Sequence, residues 1–132
     1  MRYLLDTNVF IAALKGAPSV RARLDAMPAD ALLLSPVVLG ELELGVAKSA
    51  SPKKNAARLD AVVRELELAP IDAEVSRHYA DIRSGLERAG LPIGANDYWI
   101  AAQGRALGAV VVTDNMQEFA RIPGLAVENW CR

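Results

Sequence analysis

The sequence predicts an α/β fold in which a mainly parallel central sheet is flanked by helices. Short apolar segments at 3–5, 31–34 and 109–113 are typical of buried strands. Helical segments separate these runs along the chain. This alternation is typical of a parallel sheet whose crossover connections are helices.

In the first half of the chain, polar and turn residues delimit the elements. Asp6 closes the first apolar run, and Gly16 and Pro28 end the two helices that follow. Ser35 and Pro36 supply an N-cap and a proline at the first position of a longer helix. The predicted elements are a strand at 3–5, helices at 9–14 and 19–27, a strand at 31–34, a helix at 36–48 and an amphipathic helix at 55–66.

The second half has similar delimiters. Asp72 caps a long helix, Asn96 caps the next, and Gly108 follows that helix as its C′ residue. Three consecutive valines give the clearest strand, and Pro123-Gly124 marks a turn before the last one. The predicted elements are a strand at 69–71, helices at 73–89 and 97–107, and strands at 109–113 and 125–127.

Length and composition exclude several classes of protein. The 132 residues suffice for a single domain, 1–132, and 52% hydrophobic residues argue against disorder. Fifteen Lys and Arg against sixteen Asp and Glu exclude a polybasic nucleic-acid binder. Without a long apolar stretch, we expect a cytoplasmic protein and no membrane span. One Cys and one His leave carboxylates as metal ligands, which favours Mg²⁺ or Mn²⁺.

Two aspartates directly follow predicted strands, Asp6 after the first and Asp114 after the valine-rich one. Either residue alone could be a turn former or a helix cap. Binding sites in parallel sheets form outside the carboxyl ends of the strands. We therefore expect both carboxylates at one edge of the sheet.

Two further acids have positions that suggest more than a surface role. Glu41 shares a helical face with Val37 and Val38, which directs it toward the core margin, where the alternative role is an ion pair with an arginine. Glu43 lies on another face and is predicted to be solvated.

Asp97 begins its helix, a position that the macrodipole alone favours for an acid. It also shares a face with Ile100, Ala101 and Gly104, and the small residues Ala101 and Gly104 would let the helix pack close to the sheet. Carboxylates that converge at such an edge repel one another, and bound Mg²⁺ would turn them into a phosphodiester hydrolysis site.

Four segments carry these residues and together resemble the PIN domain, most closely the VapC-type toxins of bacterial toxin–antitoxin pairs. The resemblance covers nearly the whole chain, and the order and spacing of the segments make it specific. The segments are LLDTNVFIAAL at 4–14, SPVVLGELELG at 35–45, IGANDYWIAAQGRALGAVVVTDN at 93–115 and EFARIPGLAVENW at 118–130.

The resemblance implies an α/β PIN-like fold and an endoribonuclease that depends on Mg²⁺, with Mn²⁺ as a substitute. Its acidic residues match Asp6, Glu41 and Asp97, with Asp114 as the fourth acid and Glu118 as the alternative. Because Asp114 directly follows a strand, we expect it to be the nearer of the two to the metal site.

The resemblance also implies supporting residues and partners. Asn8 and Thr113 match polar residues that flank the metal site, and Ser35 matches a hydroxyl residue at the head of the Glu41 helix. The implied substrate is RNA, commonly a tRNA. The implied partners are a VapB-like antitoxin and a second copy of the chain.

A basic segment follows the Glu41 helix and is either a solvated face or a contact surface for the RNA backbone. Two other functions stay open: a PIN nuclease of RNA processing or DNA maintenance without an antitoxin, and a catalytically silent binding module. The basic residues are Lys48, Lys53, Lys54 and Arg58.

Overall fold

The computed structural model describes residues 1–131 and contains a five-stranded, fully parallel sheet in the order β3-β2-β1-β4-β5. The strand order reverses between β1 and β4, so a crevice opens at the carboxyl ends of these two strands. The predicted fold class is confirmed. The strands are Tyr3–Leu5 (β1), Leu32–Leu34 (β2), Glu67–Leu68 (β3), Val110–Val112 (β4) and Val127–Glu128 (β5).

Helices connect the strands, and a 3-10 turn at Ala29–Ala31 precedes β2. Within residues 1–131, no helix has the length and hydropathy needed to cross a membrane. The helices are Thr7–Leu14 (α1), Pro18–Asp25 (α2), Pro36–Ala47 (α3), Pro52–Val63 (α4), Ala73–Arg88 (α5), Ala95–Leu107 (α6) and Met116–Phe119 (α7).

Helix α6 packs very close to the sheet. Ile100, Ala101 and Gly104 are buried on the face that the sequence predicted. A Cβ atom on Gly104 would lie 2.6 Å from Cγ2 of Val111 in β4, so only glycine permits this approach. The close packing holds the first turn of α6, and with it Asp97, at the sheet edge.

The start of α6 differs from the prediction. The helix begins at Ala95 after Gly94, and Asn96 lies exposed within its first turn, so the prediction that Asn96 is the cap was wrong. The reason is a tertiary contact: the Gly94 N–H donates to Oε1 of Glu118, 3.2 Å away. This contact supports a start two residues earlier than the local capping signal indicated.

Two edge strands are also displaced from their predicted positions. β3 lies at 67–68 instead of 69–71, because its residues pair with Leu33 and Leu34 of β2 and Pro70 has no N–H to extend the ladder. β5 lies at 127–128 instead of 125–127, because Val127 pairs with Val111. The short helix α7 was not predicted.

Candidate active site

The acidic site begins at the two central strands, where Asp6 follows β1 and Thr113 follows β4. The Asp6 N–H continues the sheet by donating to the Val112 carbonyl at 2.9 Å. Asp6 is 7% exposed, and its side chain accepts two hydrogen bonds, from the Thr113 hydroxyl at 2.7 Å and from the Thr7 N–H at 2.5 Å. Both carboxylate oxygens are therefore fixed in orientation.

Glu41 joins the site from α3. It is half-buried, and its Oε1 accepts a 3.0 Å hydrogen bond from the Thr7 hydroxyl. No ion pair among residues 1–131 involves Glu41, which argues against the alternative of an arginine partner. Glu43 is exposed, as predicted. Sequence analysis missed Thr7, although its place between Asp6 and Asn8 was a signal that it would lie at the strand end.

Asp97 and Glu118 form the other side of the site. Both are half-buried, and their carboxyl groups are hydrogen-bonded to each other. Glu118 also accepts from the Gly94 N–H and from the side-chain amide of Asn115. A Cβ atom on Gly94 would lie 3.1 Å from Oδ2 of Asp97, so glycine leaves room for this carboxyl group.

Burial and the neighbouring negative charges raise the pKa values of two of these acids, Asp97 and Asp6. The pKa of Asp97 is raised to about 7. Burial is the largest cause, and the charge of Asp6, the hydrogen bond and charge of Glu118 and the charge of Glu41 supply the rest. Burial also raises the pKa of Asp6, although the Thr113 and Thr7 hydrogen bonds lower it in part. The structure thus brings Asp6, Glu41 and Asp97 into one cluster.

The two candidates for the fourth acid occupy different sides of this cluster. Asp114 is exposed, and its charge raises the pKa of Asp6 more than that of Glu118 does. Glu118 instead forms the hydrogen bond to Asp97. Each acid therefore adjoins a different central carboxylate, and the assignment of Asp114 stays a prediction.

The other predicted site residues differ in their burial and contacts. Asn8 is exposed in the first turn of α1. Ser35 is completely buried and caps α3 by accepting from the Val37 N–H at 3.1 Å. All four basic residues are exposed, and of these Arg58 lines a groove of about 790 Å³ that also reaches Glu41. The exposed basic residues are Lys48, Lys53, Lys54 and Arg58.

The donor chemistry of the cluster fits a hard divalent cation. Its ligands would be carboxylate oxygens. Burial is the main cause of the raised pKa values of Asp6 and Asp97 and the neighbouring acids add to it, and a bound cation would offset both effects. Within residues 1–131, no three Asp, Glu, His or Cys side chains are already arranged around one ion position. Asp6 and Glu41 each accept a hydrogen bond from a hydroxyl group, and their carboxylate oxygens keep further lone pairs that a cation could use.

The parallel sheet and its acidic crevice define a known class of protein. The family model of the PIN domain matches residues 3–125, and the chain therefore belongs to the PIN-domain family. Within that family its relatives are VapC ribonucleases. It is 36% identical to the tRNA(fMet)-specific endonuclease VapC of Salmonella typhimurium, with 99% of each chain covered. It is 39% identical to ribonuclease VapC2 of Rickettsia felis, with 98% of each covered.

Solved structures agree with these relatives. A chain of the DNA-bound VapBC complex from Salmonella typhimurium matches with a TM-score of 0.92 and 36% identity, covering 99% of both chains. A chain of VapBC2 from Rickettsia felis, bound to a promoter DNA fragment, matches with a TM-score of 0.91 and 38% identity. That match covers 98% of this chain and 99% of the Rickettsia chain.

Proposed function

We propose that the chain is a divalent-metal-dependent endoribonuclease and the toxin of a toxin–antitoxin pair. The observation that carries this proposal is the convergence of Asp6, Glu41, Asp97 and Glu118 at the point where the strand order reverses. The relatives named as ribonucleases and the solved VapBC complexes support it.

In the proposed mechanism, Asp6 and Asp97 would hold the cation together with Glu41 and either Glu118 or Asp114. Bound Mg²⁺ or Mn²⁺ would activate a water and neutralise charge on the phosphate. The Thr113 hydroxyl and Thr7 N–H orient the Asp6 carboxylate before any ligand arrives.

The Asp97 carboxyl group must lose a proton before the proposed site can bind a cation. The pKa of about 7 means that Asp97 holds a proton at its carboxyl group in much of the protein at neutral pH, within its hydrogen bond to Glu118. Asp97 can serve as a ligand only after that proton is lost. Glu41, with one oxygen on the Thr7 hydroxyl, can accept a proton from a water at its other oxygen.

We propose tRNA as the substrate class, because one of the similar relatives is named for a tRNA. The exposed Lys48, Lys53, Lys54 and Arg58 provide positive charge for the RNA backbone, and Arg58 shares a groove with Glu41 of the acidic site. With aromatic residues at 5%, recognition by shape and backbone is favoured over an extensive stacking platform. We further propose a homodimer and inhibition by a VapB-like antitoxin.

The test of this function is cleavage of purified tRNA by the purified chain. We expect endonucleolytic products with Mg²⁺ or Mn²⁺, none with EDTA, and none with Asp6→Asn. The matched control is Asp30→Asn, which removes one charge from an exposed aspartate in the 3-10 turn. Cleavage that survives both EDTA and Asp6→Asn would contradict the proposal. Coexpression with the product of an adjacent small gene tests the antitoxin: rescue of growth supports it, and unchanged toxicity contradicts it.

A further inference from the structure

Gln103 is a completely buried polar side chain to which the proposed mechanism gives no role. It lies in α6, and each polar atom of its amide has a partner. Its Oε1 accepts a 2.5 Å hydrogen bond from the Ser35 hydroxyl. Its Nε2 donates to the carbonyls of Ala69 at 3.2 Å and Pro70 at 3.1 Å, which follow β3. The oxygen and the nitrogen of the amide thus bind different parts of the structure.

The Ser35 hydroxyl connects two helices. It caps the first turn of α3 by accepting from the Val37 N–H, and it donates to Gln103 of α6. Helix α3 carries Glu41 and helix α6 carries Asp97. Ser35 also directly follows β2, as Asp6 follows the neighbouring β1. One hydroxyl group therefore lies between the elements that bring the two acids together.

We propose that Gln103 is a positioning residue that acts through Ser35 to fix the spacing between Glu41 and Asp97. This inference rests on the proposed function, because the spacing matters for activity only if the two acids serve one ion. A buried hydrogen bond joins Ser35, at the start of α3, to Gln103 of α6, and in the low-dielectric interior it resists a change in the spacing of the two helices. The hydrogen bonds to Ala69 and Pro70 satisfy the buried Nε2 of Gln103. They do not account for the contact between Oε1 and Ser35.

The experiment uses Ser35→Ala, which removes the hydrogen bond between Ser35 and Gln103. The hydrogen bonds from the Gln103 amide to Ala69 and Pro70 stay in place. Its matched control is Asp72→Ala, because Asp72 also caps a helix, α5, through a 3.0 Å bond, and α5 carries none of the proposed site acids. Mn²⁺ affinity is measured by calorimetry, and amide hydrogen exchange of residues 98–101 is measured in the metal-free protein.

We expect Ser35→Ala to weaken Mn²⁺ binding about 10-fold, the usual cost of losing a group that orients a ligand, and to accelerate exchange at 98–101. Asp72→Ala should lower the melting temperature but change neither quantity. Gln103→Met should weaken Mn²⁺ binding to a similar degree, and the double variant should be no weaker than either single one, because both remove the same bond.

The proposal is overturned if Ser35→Ala accelerates exchange only near its lost cap at Val37 and leaves Mn²⁺ affinity unchanged. Additive effects of Ser35→Ala and Gln103→Met would overturn it too. If Gln103→Met does not fold, Ser35→Ala against Asp72→Ala decides the matter. A wild-type chain that binds no Mn²⁺ contradicts the proposed function instead. The hydrogen-exchange measurement then decides whether the bond between Ser35 and Gln103 couples α3 to α6.

Discussion

The Thr113 hydroxyl donates a 2.7 Å hydrogen bond to Oδ2 of Asp6, although 107 residues separate the two along the chain. They meet because β1 and β4 are neighbours in the sheet and both residues directly follow their strands. This is the point where the strand order reverses. The bond therefore places an oriented carboxylate where parallel sheets form their binding sites.

Replacing Asp6 with asparagine should separate activity from stability. The amide side chain keeps the shape of the carboxylate and can still accept from the Thr7 N–H, but the change removes a charge from a crowded acidic cluster. We expect RNA cleavage to fall by about 100-fold or more, because the loss of a residue that merely orients a metal ligand already costs about 10- to 100-fold. The melting temperature of the metal-free protein should rise by about 4 °C, the shift that ~1 kcal/mol produces in a chain of this size. Calorimetry that gives a lower melting temperature would refute the repulsion argument.

Glu41 and Glu43 provide a paired test of the helical face. Glu41 contacts the Thr7 hydroxyl, whereas Glu43, two residues later on α3, is exposed. Glu41→Gln should reduce cleavage by roughly 100-fold, and Glu43→Gln should stay within about twofold of wild type, as surface substitutions usually do. Equal losses in a single-turnover assay would show that the face was assigned incorrectly.

The fourth acid can be identified by a metal titration of Asp114→Asn and Glu118→Gln. The loss of a ligand raises the Mg²⁺ concentration needed for half-maximal cleavage, by about 10-fold or more. Our prediction from the sequence is that Asp114→Asn has the larger effect. The hydrogen bond between Glu118 and Asp97 provides an argument for the other outcome. If only Glu118→Gln raises the requirement, Glu118 is the ligand and Asp114 is a strand-end residue.

The raised pKa of Asp97 predicts how the stability of the metal-free protein depends on pH. The pKa rises from 3.8 to about 7 on folding, so between these values the folded protein holds a proton that the unfolded chain has released. The contribution of Asp97 to the free energy of unfolding therefore decreases as pH rises from about 4 to 7 and levels off above that. Urea titrations from pH 5 to 8 should give a flatter profile for Asp97→Asn. Parallel profiles for both proteins would contradict the shift.

The strongest local signals predicted the fold and the placement of several acids at one edge of the sheet. The Ser35-Pro36 cap, the three valines of β4 and the small face of α6 all act through nearby residues, and each was confirmed. They sufficed to predict a parallel sheet with acids at one edge.

Features that depend on distant contacts were harder to predict. The prediction that Asn96 caps α6 was wrong because the Gly94 N–H donates to Glu118, a residue 24 positions away. The 67–68 strand could not be placed because its register depends on pairing with β2. Gln103 gave no local signal, since its partners are 33 to 68 residues away.

The most direct test of the central claim is the position of Mn²⁺ in a crystal of the wild-type chain. Soaking with Mn²⁺ and recording anomalous diffraction should reveal a peak in contact with at least two of the three carboxylates of Asp6, Glu41 and Asp97. Asp6→Asn crystals soaked in the same way should lose or weaken that peak. Anomalous density only elsewhere on the protein, or none at saturating Mn²⁺, would contradict the assignment of this cluster as a metal-dependent active site.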